Sequence, residues 1–384
     1  MPKNLKILVI SNLYPPQVVG GYERSIADFA TILACRGHDV TVLTGNIKDL
    51  ETNCDLGTEG VKLNRTLLLK GKWSQEKVLE SFPVESHAYI NCTNSYTLIK
   101  TIHELQPDIC LVGNIDLLGL EILQTVMATG VPVVHYVMNA IPGFPANLSP
   151  PAHLYRCITC SDWVRQTMKE QGYRFDDSTV LYPGAVVDEF YQETLPPHDY
   201  LRIAYASLVM PYKGADVLIE ALSLLSVAGV KFEATIAGGT LMPDFVQTLK
   251  SFVQSEGLEN QIKFPGTLSR QELKKLYSTH NVLVFPSRFQ EPFGISQIEA
   301  MAAGLTLVTS GTGGAKEIVK HGQDGLIFET EDPLNLADTL AALARDLDQW
   351  KSITLEGQKK ALSEFSQEVA SKTLENIFLD MTST

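Results

Sequence analysis

The chain has 384 residues, which is longer than one ordinary hydrophobic core and predicts two domains. Hydrophobic residues make up 45% of it and charged residues 20%, a composition typical of a folded globular enzyme and unlike that of a disordered chain. The formal net charge of −13 argues against a general nucleic-acid-binding protein, because such proteins carry basic surfaces.

The first half of the chain alternates short apolar runs with helical patterns, which predicts a parallel α/β sheet. The predicted strands span residues 7–10, 40–44, 109–112, 131–137 and 157–160, and the predicted helices span 24–35, 96–105 and 118–127. The interval from about 48 to 93 has no regular pattern, and we expect an irregular loop there.

A Pro- and Glu-containing stretch over residues 192–199 is typical of a linker and precedes a second α/β series. The predicted strands of this series span 201–206, 232–237, 262–264, 282–285, 307–309 and 326–328. We therefore expect an N-terminal domain over residues 1–195, a C-terminal domain over 196–365 and a terminal helix within 366–384. Doubly wound domains bind ligands at the carboxyl ends of their strands.

No apolar run approaches the ~20 residues of a membrane span, and we expect no signal peptide ahead of the first predicted strand. The six cysteines are scattered, so the sequence predicts a cytoplasmic protein. Cys157 and Cys160 form a C-x-x-C pattern, but they lie in an apolar run without a second pair. That context favours packing over metal binding or redox chemistry.

Basic residues cluster within the irregular interval, among leucines and Trp73. The cluster comprises Lys62, Arg65, Lys70, Lys72 and Lys77. A solvated loop and strand edge is the favoured interpretation. The alternative is contact with an anionic lipid headgroup or a lipid-linked acceptor, which would place the protein peripherally at the inner membrane face.

Two carboxylates, Glu291 and Glu299, flank a turn that contains Gly294 and joins a predicted strand to a helix. The first backbone N–H groups of that helix, at Ile295 and Ser296, have no carbonyl partner within it and predict an anion site. A carboxylate beside a bound phosphate suits the hydroxyls of a sugar or ribose. The sequence therefore predicts a site for a phosphorylated, hydroxyl-rich ligand.

The segment 288–304 resembles the Glu-x7-Glu motif of retaining, nucleotide-sugar-dependent glycosyltransferases with the GT-B fold. The resemblance continues through 307–319 and 321–328 and covers nearly the whole chain. It implies an α/β protein of two doubly wound Rossmann-like domains, with the active site in the crevice between them. It also implies that the last helix, near 366–379, crosses back onto the N-terminal domain.

The resemblance also implies roles for individual residues. Lys213 and the helix N-terminus would hold the diphosphate, Glu291 would orient sugar hydroxyls and Glu299 would hold the ribose; Lys213 and Glu291 are the catalytic candidates. Further donor-binding candidates are Gly20, Gly21, Gly238, Leu268, Arg270, Phe293, Gly294, Ile295 and Ser296, and Glu23 and Asn139 are acceptor-side candidates. For Arg270 and Glu23 a purely local charge role remains an open alternative.

Two positions depart from the family pattern. Leu208 stands where a clamp arginine is usual, and Arg288 or backbone donors are candidate replacements. Met138 and Asn139 stand where a His-Asp or His-Glu pair is usual. His135 lies three residues earlier, so a strand turns it to the opposite face and predicts a core histidine.

The implied activity is transfer of a hexosyl unit from a nucleoside diphosphate sugar to a saccharide or lipid-linked acceptor in polysaccharide assembly. The expected donor is a UDP-sugar such as UDP-glucose, with GDP next, and no metal or other cofactor is expected. The D-x-D pattern of Asp346 and Asp348 lies in a charged helical stretch and predicts a solvated helix face. The alternatives are a nucleotide-sugar-binding regulatory protein without turnover, or a nucleotide-sugar hydrolase or epimerase.

Overall fold

The computed structural model describes residues 4–47, 50, 59–73, 79–150, 153–175 and 178–383. The chain forms two compact units. The first comprises Met1–Gly184 together with Gln367–Thr384, and the second comprises Ala185–Ser366. No helix in the described ranges is both long and apolar enough to cross a bilayer.

Strands and helices alternate through most of the first unit. Its strands are β1 (Lys6–Ser11), β2 (Asp39–Gly45), β3 (Val61–Leu67), β4 (Gly71–Trp73), β5 (Leu79–Ser81), β6 (Ile109–Val112), β7 (Val133–Val137), β8 (Tyr155–Thr159) and β9 (Thr179–Val180). Its helices before the second unit are α1 (Gly21–Cys35), α2 (His87–Leu105), α3 (Glu121–Ala128) and α4 (Asp162–Glu170).

Seven of these strands form one parallel sheet in the order β3-β2-β1-β6-β7-β8-β9. The strands β6 and β7 are buried along their full length, as expected where helices cover both faces of a parallel sheet. The chain order reverses between β1 and β6, which makes the carboxyl ends of these strands the topological switch point of the unit.

The second unit repeats this architecture. Its elements are α5 (Val187–Phe190), β10 (Leu201–Ala206), α6 (Ala215–Val227), β11 (Phe232–Ala237), α7 (Pro243–Ser255), β12 (Ile262–Gly266), α8 (Arg270–Thr279), β13 (Val282–Phe285), α9 (Ile295–Ala302), β14 (Thr306–Thr309), β15 (Leu326–Ile327), α10 (Pro333–Arg345) and α11 (Leu347–Glu364). The six strands form a parallel sheet in the order β12-β11-β10-β13-β14-β15, whose switch point lies between β10 and β13.

The terminal helix α12 (Gln367–Thr382) packs on α1 within the first unit. Glu375 is buried there and receives hydrogen bonds from Arg36 Nη2 at 2.6 Å and His38 Nε2 at 2.9 Å. The Nδ1 of His38 accepts from the backbone N–H of Leu5, so Nε2 carries the ring hydrogen. These contacts tie α12 to the start of β1 and to the turn between α1 and β2.

Two parallel-sheet, Rossmann-like units confirm the predicted α/β fold class. The prediction of an irregular loop over residues 48–93 is wrong, because β3, β4, β5 and the start of α2 lie in it. The strand β3 is at the edge of the sheet, and its side chains alternate between half-buried and exposed over most of its length. It lacks the continuous apolar run that marks the central strands. Residues 48, 49, 51–58 and 74–78, which include Lys77 of the basic cluster, lie outside the described part of the chain.

Candidate active site

The switch point of the second unit brings Lys213 and Glu291 together. Lys213 ends a single 3₁₀ turn after β10, and Glu291 lies in the loop after β13, the neighbouring strand. The carbonyl oxygen of Tyr212 accepts hydrogen bonds from the backbone N–H groups of Arg288 at 2.9 Å and Phe289 at 3.1 Å. These bonds fix the two loops against each other.

A glycine makes this close approach of the two loops possible. Gly214 has a φ of +72°, and a Cβ atom placed on it would lie 1.9 Å from the carbonyl oxygen of Pro286. Any side chain at this position would therefore push the Lys213 loop away from the Glu291 loop.

The ammonium group of Lys213 donates a hydrogen bond to the Oε1 atom of Glu291. The Lys213 side chain is 15% exposed and that of Glu291 is 9% exposed. The hydroxyl of Ser287 donates to the same carboxylate oxygen at 2.7 Å, and the Glu291 backbone carbonyl accepts from the N–H of Gly314 at 2.7 Å. The carboxylate is therefore held in a fixed orientation beside a single ammonium group.

The helix α9 begins at Ile295, a short turn beyond Glu291, with Gly294 as its N-cap. Its first-turn N–H groups, at Ile295 and Ser296, point out of the helix end, where partial positive charge favours an anion. The ring of Phe293 is buried and packs edge-on against Phe365 at 5.8 Å between ring centroids. Phe293 can therefore reach a ligand through its backbone rather than its ring.

Glu299 lies one turn into α9 and faces Arg270, the first residue of α8. The distance from Arg270 Nη1 to Glu299 Oε1 is 3.8 Å, which is an ion pair but too long for a hydrogen bond. Arg270 Nε donates to Glu189 at 2.6 Å, and its guanidinium carbon lies 5.2 Å from the centre of the Phe190 ring. Arg270 is thus held by α5 beside the carboxylate of Glu299.

Two other donor-binding candidates lie at the carboxyl ends of β11 and β12. Gly238 follows β11, and a Cβ atom on it would lie 1.7 Å from the carbonyl oxygen of Ser207. Close packing of the two loops therefore requires glycine there. Leu268 is half-buried in the loop between β12 and α8. Together with the residues after β10 and β13, they line one edge of the sheet.

Three other site candidates, Gly20, Gly21 and Glu23, lie in the first unit around the N-terminus of α1. A Cβ atom on Gly20 or Gly21 would meet nothing within 4 Å, so packing within the chain does not explain these glycines. The carboxylate of Glu23 accepts a hydrogen bond from the Gly20 N–H at 2.9 Å and thereby caps the helix. Glu23 is buried, so it caps the helix rather than standing on the helix surface as an exposed charge.

His135 is a core residue, as predicted. It is fully buried in β7, and its Nδ1 lies 2.8 Å from the hydroxyl of Tyr155. Burial lowers the pKa of its ring to about 3, so the ring is neutral at physiological pH.

Asn139 follows the same strand, β7, and lies at its carboxyl end, where its Nδ2 donates to Asp116 Oδ2 at 3.1 Å. Asp116 is not among the residues predicted above, although a charged residue in the loop after a buried strand at the switch point is a recognisable signal.

Comparison with known proteins identifies the family of this chain. Residues 19–189 match the family described as Glycosyltransferase Family 4, and residues 186–360 match the family described as Glycosyl transferases group 1. The chain belongs to the GT-B glycosyltransferase family. The glycogen synthase of Mycobacterium tuberculosis is 25% identical over 396 residues, which cover 98% of this chain and 94% of that protein.

Solved structures share the fold of this glycosyltransferase. A glycosyltransferase from Rickettsia africae has 18% sequence identity and a TM-score of 0.78, with 98% of each chain covered. Anabaena HepE, in complex with UDP and glucose, has 20% identity and a TM-score of 0.75, with 98% of this chain and 100% of that chain covered.

Arg288 is a candidate replacement for the family arginine that this glycosyltransferase lacks, but its side chain is bound to other residues. Its guanidinium donates to both carboxylate oxygens of Asp216, at 2.8 and 2.9 Å, and to Glu331 at 2.8 Å. The hydrogen bonds to Asp216 raise the pKa of Arg288. A guanidinium that already binds two carboxylates is a poor replacement for the clamp arginine that is missing at position 208.

The basic cluster of the glycosyltransferase is largely neutralised. Lys62 pairs with Asp39, Lys70 with Glu121 and Lys72 with Glu80. Arg65 donates to the backbone carbonyls of Tyr14 and Pro15. These pairings support the solvated-edge interpretation for the described members of the cluster.

The other sequence patterns have structural roles. Asp346 caps α11 by accepting from the N–H of Gln349 at 3.0 Å, and Asp348 is exposed. Cys157 and Cys160 are buried, and burial raises the pKa of Cys157 to about 12. Within the ranges that the structure describes, no three His, Cys, Asp or Glu side chains are grouped as metal ligands.

Proposed function

We propose that this glycosyltransferase moves a hexosyl unit from a UDP-sugar such as UDP-glucose to a saccharide or lipid-linked acceptor, with retention of anomeric configuration. The observation that carries the proposal is the Lys213–Glu291 ion pair at the switch point of the second unit, beside the N-terminus of α9. One cation and a helix N-terminus suit a diphosphate, and the adjoining carboxylate suits sugar hydroxyls.

The charge on the leaving diphosphate grows as the bond to the sugar breaks. Lys213 and the N–H groups of Ile295 and Ser296 meet that charge at fixed positions, which favours the transition state over the ground state. When the diphosphate enters, it competes with Glu291 for the Lys213 ammonium. Glu291 then turns its second oxygen to the hydroxyls of the donor sugar, while Ser287 keeps it oriented.

Glu299 accepts hydrogen bonds from the ribose hydroxyls, and Arg270 limits the movement of its carboxylate. Gly238 and the backbone at Leu268 leave room for the nucleoside. The Anabaena HepE complexes, which contain UDP or UDP-glucose, favour uracil over guanine as the expected base.

The diphosphate is neutralised by protein groups in this proposal, so turnover needs no metal and should persist in EDTA. We place the enzyme in the cytoplasm, peripheral at the inner membrane face when the acceptor is lipid-linked, with a role in polysaccharide assembly. It has no nucleic-acid partner in this scheme, in keeping with the net charge of −13.

The test is to incubate purified protein with UDP-glucose and GDP-glucose, with and without saccharide acceptors. Release of UDP and the anomeric signal of the product are followed by NMR. An α-linked product from α-configured UDP-glucose supports the proposal. Tight UDP-glucose binding without UDP release would indicate a binding protein. Release of UDP together with free glucose under all conditions would indicate a hydrolase. A changed sugar that is still attached to UDP would indicate an epimerase.

A further inference from the structure

The helix α2 of the first unit has two distinct faces. One face is buried against the rest of its own unit and carries Ile90, Asn94, Leu98 and Ile102. The opposite face is exposed and contains no acidic residue, lysine or arginine. This exposed row, which we call the α2 stripe, comprises Tyr89, Cys92, Tyr96, Ile99 and His103.

The composition of the α2 stripe is unusual for a surface helix, whose solvent side is ordinarily charged. Among the 19 residues of α2 there are only one lysine, Lys100, and one acidic residue, Glu104. Tyr89 is 69% exposed, Tyr96 is 70% exposed and Ile99 is 53% exposed. Several large apolar side chains in one exposed row mark a surface that binds a partner.

The spacing of the α2 stripe is that of a seam between two packed helices. Successive members are separated by 3, 4, 3 and 4 positions. This is the a/d pattern of helices that pack along their whole length, and it keeps the side chains on one face over about four turns. The partner predicted by this pattern is another helix.

The spacing is also palindromic when the row is extended by one step to Glu85, in the 3₁₀ turn that leads directly into α2. The intervals are then 4, 3, 4, 3 and 4, and they are centred on position 94. An antiparallel second copy of α2, related by a two-fold axis at this position, therefore matches each member with another one. The matched pairs are Tyr89 with Ile99, Cys92 with Tyr96, and Glu85 with His103.

The charges at the two ends of the row favour the same arrangement. Glu85 lies at the amino end, and Lys100 and His103 lie at the carboxyl end, so antiparallel pairing brings the acid of one copy to the bases of the other. Parallel pairing would set Glu85 against its own copy, and like charges repel. Within one copy, Lys100 lies 3.9 Å from Glu104 in an exposed pair, and such a pair holds its members weakly.

The exposed area is sufficient for a weak specific dimer. An aromatic side chain buries about 150–250 Å², so the exposed parts of the four tyrosines in a pair of stripes amount to about 400–700 Å². The other members of the two stripes bring the total to about 1,000 Å², which is the lower end of the range for specific interfaces.

We propose that the α2 stripe is a homodimerisation surface, on which a second copy of this chain packs its own α2 antiparallel about a two-fold axis at position 94. The competing occupant is a bilayer. Helices that lie on anionic bilayers carry lysine and arginine on their polar face, whereas α2 has one lysine and no arginine. The composition therefore favours a second copy.

Sedimentation equilibrium of the full chain from about 1 to 200 µM measures the dimer, and we expect a Kd of about 1–100 µM. Tyr96→Glu places a charge beside the axis in both copies and should raise the Kd about ten-fold or more. Leu355→Glu is the matched control, because Leu355 is 52% exposed on α11 in the second unit, and it should leave the Kd unchanged. Circular dichroism and thermal unfolding establish that each variant is folded.

A charge exchange tests the antiparallel direction. Glu85→Lys sets bases of both copies against each other and should weaken the dimer. Adding Lys100→Glu to the same chain restores opposite charges across the interface and should recover most of the affinity. A local effect of Glu85 on its own copy would not be recovered by the second change.

Cys92 allows a direct test of the pairing. The two Cys92 residues lie about 6 Å apart along the helix axes, on either side of the two-fold axis. A short bismaleimide should therefore join two copies of a chain in which Cys35 and Cys54 are replaced by serine, and Cys92→Ser should abolish the product. The remaining cysteines are all buried and comprise Cys110, Cys157 and Cys160.

A wild type that stays monomeric at 200 µM would overturn the inference, as would equal Kd values for Tyr96→Glu and Leu355→Glu. Sedimentation with anionic phospholipid vesicles tests the competing occupant. A monomer that binds these vesicles through a surface lost in Tyr96→Glu would assign the α2 stripe to a membrane instead. None of these measurements needs a nucleotide or turnover, so their outcome is independent of the proposed function.

Discussion

Arg288 and Asp216 form a two-pronged ion pair, with Nη1 to Oδ1 at 2.8 Å and Nη2 to Oδ2 at 2.9 Å. The pair ties the loop after β13 to the first turn of α6, close to Lys213. Because the guanidinium is also bound to Glu331 and the Pro211 carbonyl, it holds the loop rather than a ligand.

Arg288→Lys should therefore lower stability more than donor affinity. A lysine keeps the charge but cannot form the two parallel hydrogen bonds to Asp216. We therefore expect a loss of about 1–2 kcal/mol in the free energy of unfolding. UDP affinity should stay within about three-fold of wild type, a difference of less than 1 kcal/mol. Chemical denaturation and calorimetry measure the two quantities, with Asp216→Asn as the matched partner variant. A large loss of UDP affinity in a stable Arg288→Lys protein would assign this residue to the diphosphate after all.

Lys213→Ala should lower turnover far more than it lowers affinity for uridine. The ammonium meets charge on the diphosphate, and that charge grows in the transition state. Steady-state kinetics with UDP-glucose and calorimetry with uridine provide the comparison. Comparable turnover in the variant would mean that another group neutralises the leaving diphosphate. Ser287→Ala is a useful companion, since it keeps the ion pair but removes a hydrogen bond to Glu291.

Glu299→Ala should weaken UDP binding by about ten- to one-hundred-fold, because charge-assisted hydrogen bonds to a ribose contribute roughly 1.5–3 kcal/mol. Glu329→Ala, which removes a carboxylate of the same unit outside the proposed site, is the control. Calorimetry with UDP on folded protein is the measurement. Unchanged affinity would show that Glu299 does not contact the nucleotide.

His135→Gln should keep most of the activity and reduce the acid sensitivity of the fold. The folded-state pKa of His135 is about 3, below the ordinary value of 6.5, so unfolded chains bind more protons between these values. Stability is therefore full above about pH 6.5 and falls as the pH drops toward 3, by about 2 kcal/mol at pH 5. In denaturant unfolding, the variant should lose less free energy of unfolding than the wild type between pH 7.5 and pH 5.

The pH–rate profile of the wild type should lack a limb near ~6.5. A well-folded variant with little turnover would contradict the core assignment.

Glu375→Gln should destabilise the first unit by about 1–3 kcal/mol, because it removes a buried charge that accepts bonds from Arg36 and His38. Burial alone would raise the pKa of Glu375, but the hydrogen bonds from Arg36 and His38 outweigh it and lower the pKa. The carboxylate thus stabilises the fold above its unfolded pKa and loses that effect as the pH falls. Glu368→Gln is the control, since Glu368 is exposed and pairs with the same arginine. Equal unfolding temperatures for the two variants would contradict the proposed tether.

The sequence by itself determined the central strands, because a strand covered on both faces must be apolar along its length, as β6 and β13 are. It also determined the helix start at Gly294, since the glycine and the following periodicity are local features. The edge strand β3 was not predicted, because its polar face weakens the apolar pattern in the sequence.

Only the tertiary structure decided which polar side chains meet. Lys213 and Glu291 are 78 positions apart, and Asp116 and Asn139 are 23 apart. Each pair forms because parallel strands that are neighbours in the sheet place their carboxyl ends side by side, and strand order is set by packing of the whole unit. The engagement of Arg288 with Asp216 has the same origin. Local sequence carries the periodicity of each element, whereas the partners of a charge depend on where the fold brings distant loops together.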